Sequence, residues 1–173
     1  MAFGRRRIWS ALLASAFLGI ALMTSSTPAV AADVNPLTVT ADKATVVRGD
    51  SVTLTLTFTN PDSAGIYFSY VSVNPNYGTV IDGLKFEFTS CAGEVSWCNA
   101  VAPGSQGGAL QYTVPILAGT TRTATLTYRV TEDSTCGGAK NVGFYFYTYR
   151  ESSAGAFEYT ANGPTTLVSC PAS

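Results

Sequence analysis

Residues 51–60 read S-V-T-L-T-L-T-F-T-N, with Val52, Leu54, Leu56 and Phe58 alternating against Ser51, Thr53, Thr55, Thr57 and Thr59. Successive side chains on a strand point to opposite faces, so this stretch carries one apolar face and one threonine face. A strand of that kind needs a second layer over its apolar side, and antiparallel sheets solvated on one face supply it. Two more stretches repeat the pattern. Leu84, Phe86 and Phe88 alternate with Lys85, Glu87 and Thr89, and Ala124, Leu126, Tyr128 and Val130 alternate with Thr123, Thr125, Thr127 and Arg129. The phenylalanines of the first are expected to meet Leu54, Leu56 and Phe58 across the core.

Shorter strands are expected over residues 37–40, 44–47, 66–73 and 110–114, and a hairpin over 141–150 and 156–169. They are separated by turn signals such as Gly49-Asp50, Asn60-Pro61-Asp62 and Ala118-Gly119-Thr120. Residues 74–83 read as a long loop, and residues 91–108 as an exposed, irregular excursion. About eight short strands at such spacing, with almost no helical periodicity, predict an all-β, two-sheet antiparallel sandwich.

The first 32 residues are set apart from this fold. Arg5, Arg6 and Arg7 precede an apolar run over 8–23, and Ala29-Val30-Ala31-Ala32 supplies the small residues of a cleavage site after Ala31 or Ala32. The expected organisation is a cleaved secretory leader over 1–32, exported by either the general or the twin-arginine route, and one domain over 33–173. The apolar run is shorter than the roughly 20 apolar residues of a spanning helix and is broken by Ser10 and Ser15, and no membrane span is expected in the mature chain. Without the three leader arginines, seven basic residues face eleven acidic ones. Nucleic acid and anionic membranes are poor partners for such a surface.

Cys91, Cys98, Cys136 and Cys170 all follow the leader, so two disulfides are expected in an exported chain. Three pairings are formally possible. The midpoint of residues 136 and 170 falls at Ser153, within Ser152-Ser153-Ala154-Gly155, the turn of the expected hairpin. Cys136 with Cys170 therefore agrees with the hairpin, and Cys91 with Cys98 follows by elimination. Neither C-x-x-C nor another zinc spacing occurs, and the chain has no histidine.

The lack of histidine also removes Ser-His and Cys-His nucleophile pairs, and no glycine-rich phosphate loop precedes a helix. No catalytic residue, cofactor or metal is assigned. Asp50, Asp62 and Asp82 serve as turn formers, with no D-x-D-x-D run around them for calcium. A Lys43–Asn162 amide cross-link can be imagined but is not expected.

Residues 47–60, V-R-G-D-S-V-T-L-T-L-T-F-T-N, are similar to the opening of immunoglobulin-like repeat modules of bacterial surface and secreted proteins, many classed only as domains of unknown function. Asp82-Gly83-Leu84-Lys85-Phe86 with Cys91 resembles their middle. Leu117-Ala118-Gly119-Thr120-Thr121 and the alternation after it resemble their last third. The likeness covers roughly residues 37–168 and implies an immunoglobulin-like sandwich. This chain holds one copy rather than an array, and its last hairpin is unusually aromatic.

That hairpin supplies the first candidate site: Tyr145, Tyr147, Tyr149, Phe157 and Tyr159, which the cysteine-derived register places on one face. Exposed tyrosines give rigid amphipathic contact area for a sugar ring or a protein partner. They also suit an edge hairpin stabilised by cross-strand aromatic pairs. Trp97, in the small Cys91–Cys98 loop, is the second candidate, as an anchor into a partner or as a lid on the sandwich end. The expected function is a secreted, non-catalytic binding module for an extracellular glycan or protein. A structural cell-envelope protein and a secreted inhibitor presenting the Cys91–Cys98 loop are the alternatives.

Overall fold

The computed structural model describes residues 32–34 and 36–171. The expected leader lies outside these residues except for Ala32, which opens the first strand. In chain order the elements are β1 (Ala32–Val34), β2 (Leu37–Ala41), β3 (Thr45–Val47), β4 (Ser51–Thr59) and β5 (Ile66–Pro75). A short helix α1 (Tyr77–Ile81) follows, then β6 (Phe86–Gly93), β7 (Val95–Cys98), β8 (Gly108–Tyr112), β9 (Thr121–Val130), β10 (Asn141–Ser152) and β11 (Gly155–Ser169). They form two packed sheets, ordered β1-β2-β4-β9-β6 and β3-β11-β10-β5-β8-β7. The expected sandwich is present, with eleven strands among the described residues rather than about eight.

Each sheet turns its apolar alternation inward. In the five-stranded sheet Val52, Leu54, Leu56 and Phe58 of β4 lie beside Ala124, Leu126, Tyr128 and Val130 of β9, all buried. Their threonine faces also pair: Thr53 and Thr127 share a hydroxyl bond of 3.2 Å, and Thr59 and Thr121 one of 3.0 Å. Phe86 and Phe88 do not meet the β4 residues across the core as expected. β6 pairs with β9 in the same sheet, so the phenylalanines lie in the layer of β4 with β9 between them. Across the core they meet β10, where the Phe144 ring lies 5.2 Å from Phe86, 5.2 Å from Tyr128 and 5.6 Å from Phe88. Tyr112 crosses the sandwich to donate a 3.0 Å hydrogen bond to the Leu56 carbonyl, and burial pushes its phenol pKa far up.

Two disulfides close the structure at its margins. Cys91 on β6 joins Cys98 on β7, linking an edge strand of each sheet. Cys136, in the β9–β10 connection, joins Cys170 just after β11. The 91–98 segment is not an irregular excursion: β6 runs on to Gly93, and β7 then enters the opposite sheet. Gly93 permits this crossover, because its φ of +106° suits glycine and a Cβ there would sit 2.5 Å from the Thr123 carbonyl oxygen. The turn is held to the body where the Glu94 carboxylate accepts from Arg122 and from the Thr123 amide.

The loop expected over residues 74–83 contains α1. Asn76 caps it by accepting from the Thr79 amide at 2.9 Å, an Asn-x-x-Thr cap that sequence reading passed over. The buried Thr79 hydroxyl then donates to the Gly143 carbonyl and accepts from the Gly143 amide, which secures the start of β10.

Phe144 holds both sheets together through rings on each side. Phe144→Ala should lower unfolding free energy by about 3–5 kcal/mol, read as a drop in the urea midpoint at unchanged slope. A loss below ~1 kcal/mol would show that the ring cluster does not carry the interface.

Candidate functional site

The β10–β11 hairpin turns at Ser153-Ala154, as its sequence suggested, but with a register that changes its faces. At its base Gly143 pairs with Thr165, and two residues on Tyr145 pairs with Asn162, so two steps along β10 match three along β11. The extra residue lies at Gly163-Pro164, a bulge. Gly163 is required there because a Cβ would fall 2.3 Å from the Phe146 ring. Beyond the bulge odd-numbered residues of β10 face even-numbered residues of β11, with Tyr147 opposite Thr160 and Tyr149 opposite Glu158.

This corrects the expected grouping of Phe157 and Tyr159 with the three tyrosines. Phe157 pairs with Arg150 and Tyr159 with Thr148, on the face that also carries Phe144 and Phe146. The cysteine midpoint misplaced them because it assumes one register along the whole hairpin, and the bulge shifts that register by one residue. Phe157 and Tyr159 are 38% and 40% exposed, since the hairpin reaches past the covered part of the core. There Arg150 lies over the Phe157 ring, its guanidinium carbon 4.7 Å from the centroid. It also makes a two-point ion pair with Asp62, at 3.3 and 3.2 Å.

The outer face gains aromatic residues from other strands instead. Tyr149 pairs with Tyr70 of β5, Tyr70 with Gln111 of β8, and Gln111 with Trp97 of β7. One cross-strand row therefore runs Trp97, Gln111, Tyr70, Tyr149, Glu158. Phe68 packs edge-on against Tyr149 at 5.9 Å and Tyr70 against Tyr147 at 6.5 Å, so these four rings brace one another. Trp97 and Tyr145 are the more open members, 43% and 39% exposed. Trp97 is thus a strand residue on a sheet face, neither a loop tip nor a lid on the sandwich end. Sequence reading missed Phe68 and Tyr70, although their alternation in Ile66-Tyr67-Phe68-Ser69-Tyr70 was visible.

Two carboxylates set the polarity of this face. The Tyr149 hydroxyl donates to Glu151 at 2.6 Å, and that bond, with partial burial, pushes its pKa up to about 12. Burial and the neighbouring Glu158 push the Tyr147 phenol up as well. Both phenols therefore stay neutral donors throughout the physiological range. Lys43 and Asn162 are not brought together: Lys43 donates to the Ser51 carbonyl, and Asn162 stands opposite Tyr145. Among the described residues no group of three or more Cys, Asp or Glu side chains could hold a metal ion, and no helix is long and apolar enough to cross a membrane.

No protein-family model matches the chain, and no curated protein matches it in sequence. Solved structures do match in fold. The cohesin module of a Clostridium perfringens family 33 glycoside hydrolase is similar with a TM-score of 0.51 at 10% identity, over 77% of this chain and 96% of that one. The N-terminal domain of the Streptococcus gordonii adhesin Sgo0707 is similar with a TM-score of 0.51 at 11% identity, over 75% of this chain and 31% of that one. The fold resembles cohesin and adhesin domains. At such identities the likeness is one of architecture.

In protein labelled at the tyrosine ring carbons, the Tyr149 Cζ shift should stay flat where a free tyrosine titrates, near pH ~10. Glu151→Gln removes the charge that holds the proton, so the midpoint should fall toward that range. A normal midpoint in the unaltered protein would show that the Glu151 bond is absent in solution.

Proposed function

We propose that the chain is an exported, non-catalytic binding module that holds an extracellular ligand on the outer face of its six-stranded sheet. The row Trp97, Gln111, Tyr70, Tyr149, Glu158 carries this reading. Sheet faces exposed to water are usually furnished with short polar or charged residues, and contiguous exposed aromatic area marks an interaction surface. The threonine face of the other sheet is the contrast within the same molecule. Export is supported by the leader-like residues 1–32 and by two disulfides, which persist in oxidising compartments. The absence of histidine and of any recognised nucleophile pair supports a non-catalytic role.

One observation favours a second reading, a structural envelope protein that associates with itself. β3 pairs only with Leu167–Ser169 of β11, so from Gly155 to Thr165 the outer edge of β11 pairs with no strand among the described residues. Unpaired edges invite strand addition. Sedimentation over a range of concentrations separates the two, because edge association requires a concentration-dependent oligomer.

The binding reading is tested by retention on washed cell envelopes. Trp97→Ala with Tyr145→Ala should lower retention by about tenfold or more. Phe157→Ala with Tyr159→Ala, on the opposite side of the hairpin, should leave it unchanged. Both pairs are exposed, so circular dichroism and the melting temperature should stay near those of the parent. Equal retention of all three proteins would sink the reading.

A further inference from the structure

The side chains available on the outer face narrow its ligand. Beyond the Gly163-Pro164 bulge, the outward ladder positions of β5, β7, β8, β10 and β11 hold no leucine, isoleucine, valine, methionine, lysine or arginine. They hold rings, amides, hydroxyls, two alanines and the carboxylates of Glu151 and Glu158. Protein-binding hot spots use tryptophan and tyrosine too, but combine them with arginine and seat them in fully desolvated pockets, and a flat sheet of braced rings offers neither arginine nor pocket. Polyanions need cations, and the only charges here are negative. What remains matches an uncharged polyol in both of its surfaces: rings for C–H faces, and acceptors for hydroxyl donors.

We infer that this face binds a neutral polysaccharide of β-linked hexopyranose units, an inference that rests on the outer face being the binding surface. Hydrogen-bonded strands lie about 4.8 Å apart, so Trp97 and Tyr70, two strands apart in one row, stand about 10 Å from each other. That is close to the repeat of a β-linked disaccharide, whose alternate rings present the same face. A chain laid across the strands stacks alternate sugars on Trp97 and Tyr70. Gln111 between them offers both an amide donor and an acceptor to the sugar that spans the gap. At the far end of the row Glu158 accepts from ring hydroxyls. Glu151, which accepts the hydrogen bond of the Tyr149 hydroxyl, keeps lone pairs free for a second donor. The edge-to-face pairs Phe68–Tyr149 and Tyr70–Tyr147 keep the rings from reorienting, so little side-chain entropy is lost on binding.

The test is affinity electrophoresis of the disulfide-bonded protein through gels containing hydroxyethylcellulose, galactomannan or polygalacturonate. Retardation is expected with a neutral polymer and none with polygalacturonate. Trp97→Ala and, separately, Tyr70→Ala should each weaken retardation by about tenfold, while Thr55→Ala on the other sheet should not. Trp97 is exposed, so its variant remains informative if Tyr70→Ala fails to fold. Three results would overturn the inference: no retardation by either neutral polymer, retardation by polygalacturonate, or retardation untouched by Trp97→Ala. Protease treatment of the envelopes separates the levels. If it abolishes retention that Trp97→Ala with Tyr145→Ala also abolishes, the face binds a protein and only the glycan inference falls. If retention ignores that pair of substitutions, the binding surface itself is misassigned.

Discussion

The contact between Phe144 and the Phe86, Phe88 and Tyr128 rings is the constraint from which the rest follows. It lies where the two sheets press together and commits the even-numbered residues of β10 to the interior. Once Phe144 and Phe146 are buried, strand geometry leaves Tyr145, Tyr147 and Tyr149 no place but the outer face. The aromatic platform is thus a consequence of core packing on the other side of the same strand. A core of rings meeting edge to face gains both buried area and the electrostatics of offset aromatic pairs.

The margins of the sandwich determine how far the platform extends. At one side the Cys91–Cys98 bond joins an edge strand of each sheet and holds β7 beside β8, which brings Trp97 into the row. At the other, β11 pairs with β3 only at Leu167–Ser169, and before that β10 is the one strand hydrogen-bonded to it among the described residues. The Arg150–Asp62 pair, only 11% and 10% exposed, ties this overhang to the β4–β5 connection. One face of the overhang joins the outer row through Glu158, and the other exposes Phe157 and Tyr159.

Much of the architecture was legible from local pattern. Alternation of apolar residues and threonines in β4 and β9 is a property of neighbouring residues, and so is the turn chemistry of Gly49-Asp50 or Asn60-Pro61-Asp62. The tyrosines of β10 could likewise be recognised as sharing one face. Local pattern is silent wherever distant segments have to be matched. Phe86 and Phe88 were expected across the core from β4, but a strand's pattern is silent on which sheet it joins. Phe157 and Tyr159 were placed by a cysteine midpoint that assumes one register along the whole hairpin. The bulge that reverses them has its local signal in Gly163-Pro164, a pair that central strands avoid.

By itself, the order of residues decided that the chain forms strands with one dry side, that two such layers pack, and that a hairpin closes at Ser153-Ala154. These follow from side-chain alternation and backbone preference, which act over a few residues. Only the tertiary structure decided that Trp97, Tyr70 and Tyr149 stand in one line, because that line runs across hydrogen bonds between strands from distant parts of the chain. Register between strands is set by cooperative packing of whole layers, and one bulged residue is enough to exchange their faces.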